Sequence, residues 1–220
     1  MNYLFCAHRK WAFELFKLLN DKYDKFFLIK NPKQLTFKKI KKINPKFIFF
    51  PDWSWKVSED IVQNFNCVCF HEADLPKFRG GSPLQNQIIR GIEKTKTTAF
   101  LMNEKIDAGP IIMKKKLLLK GSIGEIIERM KKNDLEIIDK IILDNFKTKK
   151  QKGKSSIYKR RVPKESEIFS LDHSKKYIYD FIRMLEDPYP NAFLNLGKHK
   201  IIFKHAKLKN NKLSVEVEIE

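Results

Sequence analysis

Short apolar runs separated by amphipathic stretches set the plan of this chain. Residues 2–7, 26–29, 47–50 and 67–70 are apolar or nearly so, as strands buried on both faces should be. Residues 11–20 carry apolar side chains at 11, 12, 15, 16, 18 and 19, a helical spacing, and residues 35–43 form a shorter amphipathic piece. Ser58 offers an N-cap ahead of Glu59 and Asp60, and Ser82-Pro83 opens another helix with proline in its first turn. Residues 96–102 and 111–119 read as a fifth and a sixth strand. Residues 122–146 read as one long amphipathic helix, apolar at 123, 126, 127, 130, 135, 137, 138, 141 and 142. Strands alternating with helices predict an α/β chain, a Rossmann-like, mostly parallel sheet covered on both faces. In such sheets sites form beyond the carboxyl ends of the strands.

Residues 147–156 are polar and lysine-rich and read as a linker. That divides the chain into a main domain, residues 1–150, and a linker with a small C-terminal α+β subdomain, residues 151–220. The latter holds a helix near 175–185, the turn Asp187-Pro-Tyr-Pro-Asn191, β-like runs at 192–196 and 200–203, and the alternating edge-strand pattern of 215–219. It is too small to count as an independent domain. No internal repeat is present.

The chemistry concentrates in Cys67-Val-Cys-Phe-His-Glu-Ala-Asp-Leu-Pro-Lys-Phe-Arg-Gly-Gly-Ser-Pro83 and in Leu101-Met-Asn-Glu-Lys-Ile-Asp-Ala-Gly-Pro110. His71 ends the fourth strand and Asp107 follows the fifth, so both are expected at one sheet edge. A histidine there suits a general base, with the carboxylate orienting it. The competing readings are a core histidine that caps a strand and a turn aspartate. Glycines and a helix start in Arg79-Gly80-Gly81-Ser82 could meet an anionic group, or serve a loop that needs positive backbone angles. Asp74 is a candidate for contact with a sugar hydroxyl or an attacking amine. Trp53 and Trp55 wall a pocket or pack into the core.

These segments resemble the formyltransferases that use 10-formyltetrahydrofolate. The family pattern is Asn-x-His, Leu-Pro, Arg-Gly, Pro, then Asp-x-Gly; here His71, Leu75-Pro76, Arg79-Gly80, Pro83 and Asp107-Ala-Gly109 match in order. Cys69 stands where the family has asparagine, whose amide donates to the oxyanion. A thiol is a poor donor, so either Ser82, Gln85, Asn86 or a backbone N–H supplies the donor, or the mechanism leans more on His71 and the folate environment. Cys69 as a nucleophile is a weaker reading than Cys69 as a small buried residue. The resemblance implies His71 and Asp107 as catalytic residues and Trp53, Met102, Asn103, Glu104 and Ile106 around the pterin of 10-formyltetrahydrofolate. It implies Asp74, Arg79, Gly80, Gly81, Ser82, Gln85 and Asn86 toward the acceptor. The motifs around Trp53-Ser-Trp55 and Leu84-Gln-Asn86, and the tail segments Tyr158-Lys-Arg-Arg-Val-Pro163 and Asp187-Pro-Tyr-Pro190, are most similar to sugar N-formyltransferases. The acceptor expected from them is a nucleotide-linked amino sugar, a UDP-linked 4-amino sugar of surface-glycan synthesis.

Composition modifies this picture in three places. No apolar run nears the ~20 residues of a membrane helix, and the first strand lacks a basic leader, so a cytoplasmic protein without membrane insertion is expected. Cysteines number 3, which gives no disulfide framework, and Cys67-x-Cys69 without a second ligand pair gives no metal site. The net charge of +19 invites a nucleic-acid partner, yet 38 of the 45 basic residues are lysine. A solvated lysine surface without an RNA-binding module predicts folate and a nucleotide sugar as partners and no nucleic acid; a homodimer is a compatible assembly. A methionyl-tRNA formyltransferase is the alternative. The charge favours it, while residues 157–220 are short for the larger C-terminal barrel that the resemblance gives such enzymes. A binding relative without catalysis is the third reading, kept open by Cys69.

Overall fold

The computed structural model describes residues 1–144 and 146–220. Strands β1 (Asn2–Ala7), β2 (Phe26–Ile29), β3 (Pro45–Asp52) and β4 (Cys67–His71) are joined through helices α1 (Lys10–Tyr23), α2 (Phe37–Ile43) and α3 (Glu59–Asn64). Then come β5 (Arg79–Gly80), α4 (Pro83–Ile88), β6 (Lys94–Leu101), β7 (Ile111–Leu118) and α5 (Ile123–Leu143). β8 (Ile157–Tyr158), α6 (Lys175–Arg183), β9 (Ala192–Leu196), β10 (His199–Lys209) and β11 (Lys212–Ile219) complete the chain.

The main sheet has the order β2-β1-β3-β4-β6-β7. Its first four strands run parallel, as the intervening helices require. No helix separates β6 from β7, and both run antiparallel to their neighbours. β3 reads as an unbroken apolar run because both of its faces are covered. Tyr3, Phe5, Phe47 and Phe49 pack under α1 and α5, while Leu4, Cys6, Ile48 and Phe50 pack with Ile40 of α2 and Ile61 of α3. α5 starts in a capping box between Ser122 and Glu125, and losing such a cap costs about 1 kcal/mol. The exposed edge strand β7 carries Lys114, Lys115 and Lys116, charges that discourage edge-to-edge pairing.

β9, β10 and β11 form a separate antiparallel sheet backed by α6. Buried Arg183 ties it to the main body: Nε pairs with Asp180, and Nη1 donates to the Leu119 and Gly121 carbonyls at 2.7 and 2.8 Å. The stretch read as a linker is also held. Lys149 and Ile111 exchange backbone hydrogen bonds, and β8 pairs in parallel with β5. No helix of the described residues is long and apolar enough to cross a membrane.

Candidate active site

β4 delivers the first site residue. Cys67, Cys69 and His71 share one face by alternation, and His71 is buried at the carboxyl end. Its Nε2–H donates to the Phe78 carbonyl at 2.6 Å. A carbonyl only accepts, so Nε2 carries the proton and Nδ1 is the lone-pair nitrogen of the neutral ring. Nδ1 lies 3.6 Å from Asp107 Oδ2, which also accepts the Gly80 N–H at 2.7 Å. His71 and Asp107 therefore meet, but not because two strands end at one edge. β6 is antiparallel, so Leu101 pairs with Val68 and Met102 N–H donates to the Cys67 carbonyl, at the start of β4. Residues 102–110 then return past the Cys69 face to bring Asp107 to His71. Gly109 lets the loop lie down on β6, since a Cβ there would stand 1.7 Å from the Leu101 oxygen.

Gln151 pins this loop. Its Nε2 donates to the Asp107 and Gly109 carbonyls at 2.8 and 2.9 Å, and its Oε1 accepts from Arg79 Nη2 at 2.7 Å and Nε at 3.2 Å. Arg79 is thus committed to Gln151 and is no anion ligand. The glycines beside it serve a close approach of chain to chain. A Cβ on Gly80, whose φ is +91°, would meet the Tyr158 oxygen at 2.2 Å, and one on Gly81 would meet Arg160 Cα at 2.3 Å. Their amides are spent on Asp107 and on the Tyr158 carbonyl, so the expected anion cradle is not formed. Two further expectations fail. Asp74 is paired with Lys96 and Lys114, and Asn86 donates to the Gly81 and Ser82 carbonyls. Neither these nor Arg79 line the cavity.

That cavity, about 760 Å³, opens beside His71. Trp53, Met102, Asn103, Glu104 and Ile106 line the cavity together with Phe50 and Val62. The Trp53 indole nitrogen is buried there without an acceptor. Gly80, Gly81, Ser82 and Gln85 also line the cavity. Gln85 donates to the Met184 carbonyl at 3.3 Å, and Ser82 Oγ accepts the Arg161 N–H at 3.1 Å. Ser82 keeps its own hydroxyl proton to donate, as the missing asparagine would its amide proton.

Other lining residues went unread. Asp52, at the end of β3, accepts the Arg9 N–H at 2.8 Å and pairs with the Arg9 guanidinium. Arg9 also sits over the Tyr189 ring, 5.2 Å from its centroid. Arg160 Nη1 donates to Ser54 Oγ at 3.0 Å, the Arg161 guanidinium donates to the Glu165 carbonyl and lies 5.7 Å from the centroid of the Phe181 ring, and both arginines line the cavity. Burial pushes the Tyr189 hydroxyl up to about 12, with Glu72 and Asp52 adding to the rise and Arg9 opposing it. Burial likewise pushes Glu72 up to about 8, with Asp52 and Asp107 adding and Arg9 opposing. The Cys69 thiol is raised well above its ordinary value by burial first and by Asp107 next. A thiol held protonated is no nucleophile. Asp52 and Tyr189 lay inside motifs already noted, Pro51–Trp55 and Asp187-Pro-Tyr-Pro190. Gln151, a polar residue within a lysine-rich tract, gave no sequence signal.

The formyl transferase family model matches residues 28–142, and the model for the C-terminal domain of methionyl-tRNA formyltransferase matches residues 163–220. A methionyl-tRNA formyltransferase from Campylobacter jejuni is 28% identical over 163 residues, 73% of this chain and 53% of that protein. The chain spans about half the length of such curated relatives. The solved methionyl-tRNA formyltransferase from Clostridium thermocellum is 40% identical with a TM-score of 0.95, covering 100% of this chain and 99% of that one. HypX from Aquifex aeolicus, solved with tetrahydrofolic acid, has a TM-score of 0.80 at 16% identity, covering 95% of this chain and 38% of that one. Solved sugar N-formyltransferases are 17–20% identical, a likeness of fold alone. Two expectations are overturned by these findings, the nucleotide-linked amino sugar as acceptor and the exclusion of nucleic acid. The tail judged too short for a methionyl-tRNA enzyme is the part that matches that enzyme's C-terminal domain.

Proposed function

Because this chain belongs to the formyl transferase family, we propose that it moves a formyl group from 10-formyltetrahydrofolate to the amino group of methionyl-tRNA. The observation that carries the reading is the meeting of His71 and Asp107 at a cavity that Arg160 and Arg161 also line. Three of the chain's few arginines, Arg9, Arg160 and Arg161, are gathered at this one cavity. Residues 147–164, which include the last two, hold nine Lys and Arg and no acidic residue before Glu165. Such a strip suits the phosphates at the end of a nucleic-acid acceptor.

The Trp53 wing suits a flat heteroaromatic donor. It offers aromatic and apolar walls, and an indole N–H that lacks an acceptor. When bound, the folate would supply the activated formyl group. His71 takes a proton from the attacking amine at Nδ1, and Asp107 stabilises the resulting imidazolium. The Ser82 hydroxyl is the donor assigned to charge developing on the formyl oxygen.

The test is mass spectrometry of methionyl-tRNA incubated with the protein and 10-formyltetrahydrofolate. A gain of one formyl group is expected, and His71→Ala and Asp107→Asn should each lower turnover by at least about a hundredfold. An unmodified methionyl-tRNA, or a His71→Ala protein as fast as the wild type, refutes the reading.

A further inference from the structure

Glu72 has no part in the chemistry above, yet it faces the cavity beside His71. Among the described residues its carboxyl has no cation as an ion-pair partner, and its own backbone N–H is the hydrogen bond offered to it. The groups that act on it come from every side: Arg9 ahead of α1, Asp52 of β3, Cys69 of β4, Asp107 of the returning loop, Asp134 of α5 and Tyr189 of the tail. Arg9 is the cation among them and is already engaged by Asp52. Three carboxyls, Asp52, Glu72 and Asp107, therefore line this cavity in a chain of net charge +19, and Arg160 and Arg161 line it too. An acceptor that carries an ammonium at one end and phosphate behind it suits a cavity that offers both charges.

Resting on the methionyl-tRNA reading, we propose that Glu72 binds the acceptor's ammonium group and takes its first proton, delivering a neutral amine to the formyl carbon. The step balances simply. R–NH3⁺ and the Glu72 carboxylate become R–NH2 and the Glu72 carboxylic acid, whose proton then leaves through the open mouth. His71 takes the second proton as the new C–N bond forms, and that proton is returned to the folate nitrogen as the bond from the formyl carbon to it breaks. A carboxyl pushed up to about 8 by burial is matched to an α-amine, which titrates near ~7.7–8.0, so the transfer is close to even in energy.

Two measurements test this. The first is calorimetric binding of methionylamido-adenosine, a non-hydrolysable mimic of the charged tRNA end, against its des-amino analogue at pH 8, where carboxylate and ammonium coexist. The wild type should prefer the amine by about tenfold or more, and Glu72→Gln and Glu72→Ala should abolish the preference. No preference in the wild type, or one that survives in Glu72→Gln, overturns the proposal. A preference that depends on Glu72 without any formyl transfer would sink the functional reading and leave the amine site standing. The second is kcat/KM against pH. The wild type should give a bell, because carboxylate and ammonium must coexist, whereas Glu72→Gln should give a curve that only rises as the free amine forms. A bell in Glu72→Gln would also overturn the proposal.

Discussion

Replacing Gln151 tests whether the Asp107 loop is held by chain that the sequence presents as a tether. Gln151→Ala removes two neutral hydrogen bonds, to the Asp107 and Gly109 carbonyls, and the acceptor of the Arg79 guanidinium. Each neutral bond is worth about 0.5–1.5 kcal/mol net, and a bond to a charged group about 1.5–3. Arg79 is partly exposed and recovers much of its share from water, which leaves a local loss of about 2–3 kcal/mol. Spread over a chain of this size, that lowers Tm by roughly 4–12 °C. The larger effect should be on rate. A catalytic group displaced by about 1 Å costs on the order of a hundredfold, and Asp107 is the group set free. Steady-state formylation over a range of methionyl-tRNA concentrations, with the folate saturating, should therefore show kcat down about tenfold to a hundredfold, with KM for the tRNA little changed. Gln151→Glu separates positioning from simple stapling. It keeps an acceptor for Arg79 but turns an oxygen toward two carbonyl oxygens, so it should be as slow as Gln151→Ala. A Gln151→Glu protein with wild-type kcat, or a Gln151→Ala protein that is less stable and equally fast, would refute the reasoning.

Gly80→Ala forces a side chain against the Tyr158 oxygen at a φ of +91°. It should separate β5 from β8, and trypsin should cut residues 147–161 at least about tenfold faster than in the wild type; unchanged cleavage argues against it. Asp134 is fully buried, neither carboxyl oxygen has a partner, and burial raises it well above the carboxylate range. The folded state keeps its proton after the unfolded chain has lost it, so its cost grows as pH rises above ~3.9. Asp134→Leu should stabilise by about 1–3 kcal/mol at pH 7 and by less at pH 4.5 in urea titrations; a gain that is larger at the lower pH contradicts the sign. Arg160→Ala and Arg161→Ala should each weaken methionyl-tRNA binding and reduce the slope of log K against log salt by about one. A slope unchanged in both would remove the phosphate role.

Periodicity was enough to place the strands of the main sheet and the longer helices, because burial on one or both faces of a repeating backbone leaves a direct trace in residue order. β3 and α5 are examples: a continuous apolar run, and an apolar stripe at helical spacing. The candidate pair His71 and Asp107 was legible too, since each sits in a short motif with its own turn chemistry. What the sequence by itself determined was thus the α/β plan, the candidate pair and the formyl-transfer family. Local order carried no sign that β6 would run antiparallel to β4, since α4 stands between them just as helices stand between the parallel strands. Antiparallel pairing in turn obliged the Asp107 loop to double back. Tertiary structure alone decided that Arg79 answers Gln151, that Gly80 and Gly81 admit the Tyr158 strand, and that Asp74 and Asn86 face away from the cavity. It also decided that Arg9, Asp52, Glu72, Arg160 and Tyr189 converge on one cavity. These are contacts between residues tens to more than a hundred positions apart. Their partners are selected by packing and hydrogen-bond satisfaction once the sheet has formed, and neither process leaves a period in the chain.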